Sequence, residues 1–366
     1  MKLIYILFVV TIFPKFSHGQ QIIFVTTLQD PVKETSGLIY LNQKLITHND
    51  SGGEPALYEI DSISGNLIRT VFVSNATNID WEDICYDSTY IYIADFGNNN
   101  GSRTDLKIYR LPISNYFMTD NDTVTVDTIH FNYSKQQDFT PSPFTTNYDA
   151  EALISYKDSL YIFTKNWGNH WTNIYALPKI PGTYQIEKLD SINSQGVVTG
   201  ASYNSITNTI LLTGYTFASP FIIEICDFSD TEFSSGSIRR YLLEPKPGSS
   251  FQIESITSVN QNQYYLTAEE SVSGNAALYR LKTDNGLNLE SIEEVTGHIY
   301  PNPTSNVVHV KYNDLSIVEI YDLHGTLQKA SINEQIYITD LSEGVYIIII
   351  IDTKGDRALT NKMIVK

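Results

Sequence analysis

Four glutamates recur in similar surroundings along this chain: Glu34, Glu82, Glu151 and Glu254. Each opens a short apolar run, as in Trp81-Glu-Asp-Ile84 and Gln252-Ile-Glu-Ser-Ile256; in a related stretch, less regular, Gly200 holds the place. A second polar set follows one strand later: His48-Asn49-Asp50, Asp95 with Asn98, Lys165-Asn166, Tyr215 and Glu269-Glu270. Carboxylates dominate both sets. Two like charges about 4 Å apart repel by roughly 4 kcal/mol at an effective dielectric near 20. If the sets meet, either carboxyl pKa values rise or a cation sits among them. Asp, Glu and Asn supply the hard oxygen donors that calcium takes in flexible geometry. A His/Cys cluster of the zinc type is absent from the sequence. Glu34, Asp50, Glu82, Asp95, Glu151 and Glu254 are therefore the candidate metal ligands, with Ca2+ as the expected ion. Lys165 and His48 are candidate ligand contacts, and Lys165 is also a candidate counter-ion. A structural alternative stays open, in which each repeated glutamate accepts backbone N–H bonds from a neighbouring strand.

Aromatic residues suggest a second chemistry. Trp167 and Trp171 share one loop, Lys165-Asn-Trp-Gly-Asn-His-Trp171, and Trp81 adjoins Glu82. Indole rings stack on sugars and anchor binding sites, so a non-catalytic glycan-binding or adhesion role is the alternative to hydrolysis. For Trp81, packing between sheets is the favoured reading. Asn49-Asp50-Ser51-Gly52-Gly53 reads as a turn, because no strand-to-helix elbow exposes the serine.

The elements that must position these residues are strands. Between residues 20 and 290, short apolar runs alternate with Gly, Asn, Asp, Ser and Pro clusters, and no amphipathic helix is evident. Twenty-five Tyr and sixteen Phe fit strands. One unit recurs five times, with a third strand of the form LYEI, IYRL, IYAL or LYRL. Four-stranded units of this length are propeller blades. The fifth unit lacks a fourth strand, and residues 21–28 form an orphan strand before the first, so the N-terminal strand is expected to complete the last blade. The expected fold is an all-β propeller of five blades, with a sixth within residues 103–148 or a β-sandwich with long loops as alternatives. In a propeller both polar sets converge on one axial mouth.

The two ends carry addresses. Lys2, the apolar run Leu3 to Phe13 and Ser17-His18-Gly19 read as a secretory signal peptide over residues 1–19. The apolar run is too short to span a bilayer. A net charge of −17 argues against nucleic acid and anionic membranes as partners. Cys85 and Cys226 sit in separate units, and the favoured reading is two buried free thiols.

Residues 20–284 are thus the expected propeller, 285–297 a linker and 298–366 a final domain. That domain opens with Ile299-Tyr-Pro-Asn-Pro303, continues through Ile320-Tyr-Asp-Leu-His-Gly325 and Leu341-Ser-Glu-Gly-Val-Tyr346, and ends in a basic-apolar strand. In that order of landmarks it resembles the type A sorting domain of type IX secretion in Bacteroidetes. The resemblance implies a small immunoglobulin-like sandwich, the type IX machinery as partner, and a protein released or anchored at the outer-membrane surface. The apolar run Tyr346 to Ile351 is expected to be a strand buried on both faces. In its repeat style the body resembles gluconolactonase-type and esterase-like phytase propellers. That resemblance implies axial calcium and hydrolysis of a lactone, ester or phosphoester, with Glu269 or Glu270 as the candidate catalytic proton carrier.

Overall fold

The computed structural model describes residues 20–217, 219–283, 298–312, 315–322, 327–352 and 357–366. The expected signal peptide and the whole of the expected linker lie outside these residues. The chain divides into two compact units, Met1–Ser291 and Ile292–Lys366.

The first unit holds five sheets. Their innermost strands are Thr35–Leu41, Trp81–Tyr86, Ala150–Tyr156, Val197–Asn204 and Ile253–Ser258. Each runs outward through three further antiparallel strands. The fifth sheet takes its outer strand, Ile23–Thr27, from the start of the chain, paired antiparallel with Ala277–Lys282. Three sheets gain a parallel edge strand: Gln20–Gln21, Thr123–Val124 and Gly182–Ile186. The N-terminal segment therefore borders both the fourth and the fifth sheets. Among the described residues, 103–148 form no additional sheet. They supply the outer strand Asp127–Tyr133, the short helix Ile113–Met118 and one edge strand.

Apolar clusters lie between successive sheets and close the ring. Ile46 and Leu57 of the first sheet pack with Trp81 and Ile93 of the second. Similar layers join the second to the third, the third to the fourth and the fourth to the fifth. Leu38 and Tyr58 meet Tyr265 and Leu278, joining the fifth sheet to the first. The inner strands are consequently buried on both faces. Their apolar runs are for this reason continuous rather than alternating.

The second unit is a two-sheet sandwich. One sheet holds His298–Tyr300, Val307–Lys311 and Gln335–Tyr337; the other holds Leu315–Tyr321, Leu327–Ser331, Gly344–Asp352 and Arg357–Val365. Val308, Val310 and Ile336 face Ile320, Ile348 and Met363 across the core. Residues Tyr346 to Ile350 are all buried, matching the expectation of a strand covered on both sides.

Candidate functional site

The register of the inner strands decides which side chains reach the axis. In every one of the five, pairing with the second strand slips at the same place. A β-bulge of this kind leaves the extra residue unpaired and re-aims its side chain. The extra residues are Glu82, Glu151, Thr199 and Glu254, and Ser36 lies at the slip in the first sheet. All five are at most 5% exposed. The ring position in the fourth sheet is thus Thr199, not Gly200, and in the first Ser36, not Glu34. Gly200 lies one residue deeper. A Cβ there would stand 2.5 Å from the Glu254 carbonyl oxygen, so close passage of the two backbones requires glycine.

Two further tiers complete the mouth. Just before the inner strands stand Glu34, Asp80, Asp149 and Gln252. At the ends of the second strands stand Asp50, Lys165, Tyr215 and Glu269. Backbone bonds tie the tiers together, from Asp50 N to Glu34 O at 2.9 Å and from Lys165 N to Asp149 O at 2.8 Å. In the second sheet Gly97 takes the corresponding place, with its N–H 3.2 Å from Asp80 O. A Cβ on Gly97 would lie 2.0 Å from Glu82 Oε1 and 2.5 Å from Asp80 Oδ2, so its bareness makes room for both carboxyls.

One oxygen each of Asp50, Asp80 and Glu82 lie within 4.8 Å of one another. The Glu82 side chain is buried and takes part in no hydrogen bond or ion pair among the described residues. Burial, then Glu151, Asp50 and Asp80, hold its carboxyl well above the ordinary value. Burial together with Asp50 pushes Asp80 up to about 7. Across the mouth, Lys165 Nζ meets Glu151 Oε1 at 3.1 Å and lies over the rings of Trp167 and Tyr215. Burial opposes its charge, but Glu151, Glu254 and Glu82 outweigh that and hold its pKa well above the ordinary value. Gln252 Nε2 donates to Glu269 Oε1 at 2.6 Å and to Glu254 Oε1 at 3.4 Å. Burial, with Glu254 beside it, pushes Glu269 up to about 9.

Other expected site residues are placed elsewhere. Asp95 is committed to a salt-bridge network: its oxygens meet Arg103 at 2.9 Å and Lys107 at 3.3 Å. It pairs directly with Trp81, one position before the slip, and a one-residue offset reverses the face on which a side chain projects. The Glu34 side chain is exposed at the rim. Glu270 is exposed and pairs with Lys33 at 3.4 Å, which leaves Glu269 as the member of the pair that lies inside the mouth. His48 is fully buried, edge-on to Trp81 at 5.5 Å, and offers nothing to a ligand in the mouth. Trp81 is likewise fully buried between sheets. Trp167 is half-buried, with Nε1 bonded to Asp149 Oδ2 at 2.8 Å. Trp171 is 40% exposed. Cys85 and Cys226 are unpaired; Cys85 is buried and Cys226 half-buried.

Three buried or half-buried carboxyls in and below the mouth escaped the sequence reading. Asp80 joins Asp50 and Glu82. Asp149 accepts from Asn98 N at 2.6 Å and from Trp167. Asp83 lies below the mouth, where its Oδ2 accepts Leu153 N at 2.7 Å and Ala201 N at 3.3 Å, from the third and fourth sheets. The inter-sheet brace envisaged for the repeated glutamates is therefore Asp83. The available signal was adjacency: Asp80 and Asp83 flank the pair Trp81-Glu82.

Residues 298–366 match the family described as the secretion system C-terminal sorting domain. The chain ends in a secretion sorting domain. This tail implies export and marks the protein as secreted or held at the cell surface. No curated protein matches the sequence. Among solved structures, the chain is similar to an α-L-arabinanase of Penicillium chrysogenum complexed with arabinobiose, at 9% identity and TM-score 0.43, over 73% of this chain and 99% of that one. It is similar to the PQQ-bound aldose sugar dehydrogenase of Streptomyces coelicolor, at 11% identity and TM-score 0.40, over 71% and 96%. It is also similar to PorZ of Porphyromonas gingivalis, a surface component of type IX secretion, at 12% identity and TM-score 0.35, over 91% and 45%. Among the described residues, no helix is long and apolar enough to cross a membrane.

Proposed function

We propose that the exported propeller binds a divalent cation, calcium by its donor chemistry, at Asp50, Asp80 and Glu82, and uses it to hold an oxygen-bearing ligand over the axis. The supporting observation is the buried Glu82 carboxyl, which has no hydrogen-bond or ion-pair partner among the described residues and stands within 4.8 Å of two other carboxyl groups. Calcium–oxygen distances of about 2.3–2.6 Å put opposite ligand oxygens roughly 5 Å apart, so the spacing fits. Glu151 and Glu254 complete the negative wall, and Lys165 offsets part of its charge. A bound dication would keep these carboxyls ionised where burial alone protonates them.

Glu269 favours a second, catalytic reading. In the cation-free chain this carboxyl, held at about 9, carries a proton at neutral pH, and a bound cation would lower that value. In this reading Glu269 is the proton carrier for hydrolysis of an ester, lactone or phosphoester that the metal would polarise.

Elemental analysis of the purified mature chain, with melting in calcium and in EGTA, tests the cation. The expected result is co-purifying calcium and a melting point that chelation lowers. A saturated site at a hundred times its Kd adds about 2.7 kcal/mol. Gly97→Ala is expected to displace the Glu82 and Asp80 carboxyls and abolish the calcium response while the fold persists. A metal-free chain whose melting ignores both additions overturns the proposal. Glu269→Gln separates the two readings: a hydrolase loses turnover and keeps calcium, whereas a binder keeps both ligand and calcium.

A further inference from the structure

We infer a second binding site, outside the axial mouth, for a neutral, hydroxyl-rich saccharide. It is a cleft of about 460 Å³ at the junction of the second and third sheets, within the roughly 300–1,000 Å³ typical of small-molecule sites. The segment 134–148, the long connection between those sheets, forms much of its wall. Three tyrosines line it: the Tyr133 ring lies 5.2 Å from that of Tyr148 and 4.6 Å from that of Tyr175.

Tyr133 carries the observation that points to a ligand. It is 3% exposed, it lines the cleft, and its hydroxyl has no hydrogen-bond partner among the described residues. A buried hydroxyl without a partner destabilises the free protein, and a ligand hydroxyl would remove that cost. Asn147 and Asn173 stand in the same cleft. Asn147 Oδ1 accepts the Gly168 N–H at 3.3 Å, and its Nδ2 has no partner among the described residues.

The lining chemistry selects the class of ligand. Amides and hydroxyls both donate and accept, as sugar hydroxyls do, while tyrosine rings pack against the C–H faces of a pyranose. Its charged side chains are Lys135, Asp138 and Lys188, so the cleft lacks the clustered carboxylates of the mouth and is no calcium site. A purely apolar ligand would leave the Tyr133 hydroxyl unpaired and offer nothing to Asn147 Nδ2. The site is independent of the axial cation.

Calorimetric titration of the mature chain in EGTA with laminarihexaose, maltohexaose and oligogalacturonate tests the inference. Saturable binding of a neutral hexasaccharide is expected, weakened about tenfold by Asn173→Ala and about fivefold by Tyr133→Phe. Glu82→Gln should leave this affinity unchanged. Free Tyr133→Phe should melt no lower than the wild type, because the lost hydroxyl had no partner; a lower melting point would show a purely structural role and count against the site. No saturable binding of either neutral sugar, equal affinities of wild type and both cleft variants, or binding confined to oligogalacturonate would overturn the inference.

Discussion

At the scale of single residues, the centre of the propeller turns on two carboxyl groups with different tasks. Asp83 is a keystone. Its Oδ1 accepts Ile84 N at 2.8 Å, and its Oδ2 holds backbone N–H groups of the third and fourth sheets. Asp83→Asn puts an amide among donors, and Asp83→Ala leaves them buried without a partner. Either should cost about 3 kcal/mol, read as a lower urea midpoint; an unchanged midpoint would remove the keystone role. Glu269 governs a pH dependence. Its carboxyl stands at about 9 in the folded chain against an ordinary 4.5. Between those values the folded chain keeps a proton that the unfolded chain has lost, so stability declines as pH rises through this window. Asp80, at about 7, adds to the same slope. The melting temperature of the calcium-free chain should fall from pH 5 to pH 9, and Glu269→Gln should flatten the decline. Added calcium should help most at the alkaline end, where it no longer competes with protons. A profile that rises with pH would contradict this assignment. Glu82, Glu151, Glu254 and Lys165 were legible in the sequence because they recur beside apolar runs. Asp95 misled because it lies two residues before Gly97, the position that corresponds to Asp50, Lys165 and Glu269, and is tied to Arg103 and Lys107 instead.

At the scale of elements, the recurrent bulge explains how an apolar inner strand carries a buried acid. A regular strand would pair every residue and alternate its faces. One extra residue per strand points Glu82, Glu151 and Glu254 inward together without disturbing the apolar layers between sheets. The motif opening the sorting domain has an equally local cause. Asn302 donates from Nδ2 to Lys362 O at 2.6 Å and accepts from Ile364 N at 2.9 Å, while Thr304 N bonds Ile364 O at 2.8 Å. The opening asparagine is thereby stitched to the last strand. The Leu341-to-Tyr346 landmark has its own tie, from Tyr346 Oη to Ser342 O at 2.9 Å. Asn302→Ala should cost about 1 kcal/mol and speed hydrogen exchange at the Ile364 amide. Unaltered exchange there would show that the stitch contributes nothing.

At the scale of the whole molecule, the ends of the chain have unlike roles. The N-terminal segment closes the ring: Ile22 and Leu28 are buried in the clusters flanking the fifth sheet, and Ile23–Thr27 covers its outer edge. Deleting residues 20–28 would expose the Ala277–Lys282 edge and two cores. Proteolysis of that variant should begin between residues 253 and 282; cleavage no faster than in the wild type would show that closure adds little. The C-terminal tail sets destination. A chain truncated before residue 298 should be lost from the cell surface and medium and retained within the envelope, as immunoblotting of those fractions would show. Undiminished surface protein would argue for a second export signal.

The sequence alone determined what short-range patterns encode. Five repeats of strand-length apolar runs and an orphan first strand encoded the all-β ring and its closure, because strand period and turn chemistry are local; the export address rests on the resemblance of the ordered tail landmarks to a secretion sorting domain. Tertiary structure decided which acids meet. Asp50, Asp80 and Glu82 come from two sheets, and a one-residue bulge determines whether a side chain faces the axis or the core. That slip is a property of the pairing partner, so no single strand announces it. Asp83, which spans three sheets, had no counterpart in any repeat and became visible only when the ring was closed.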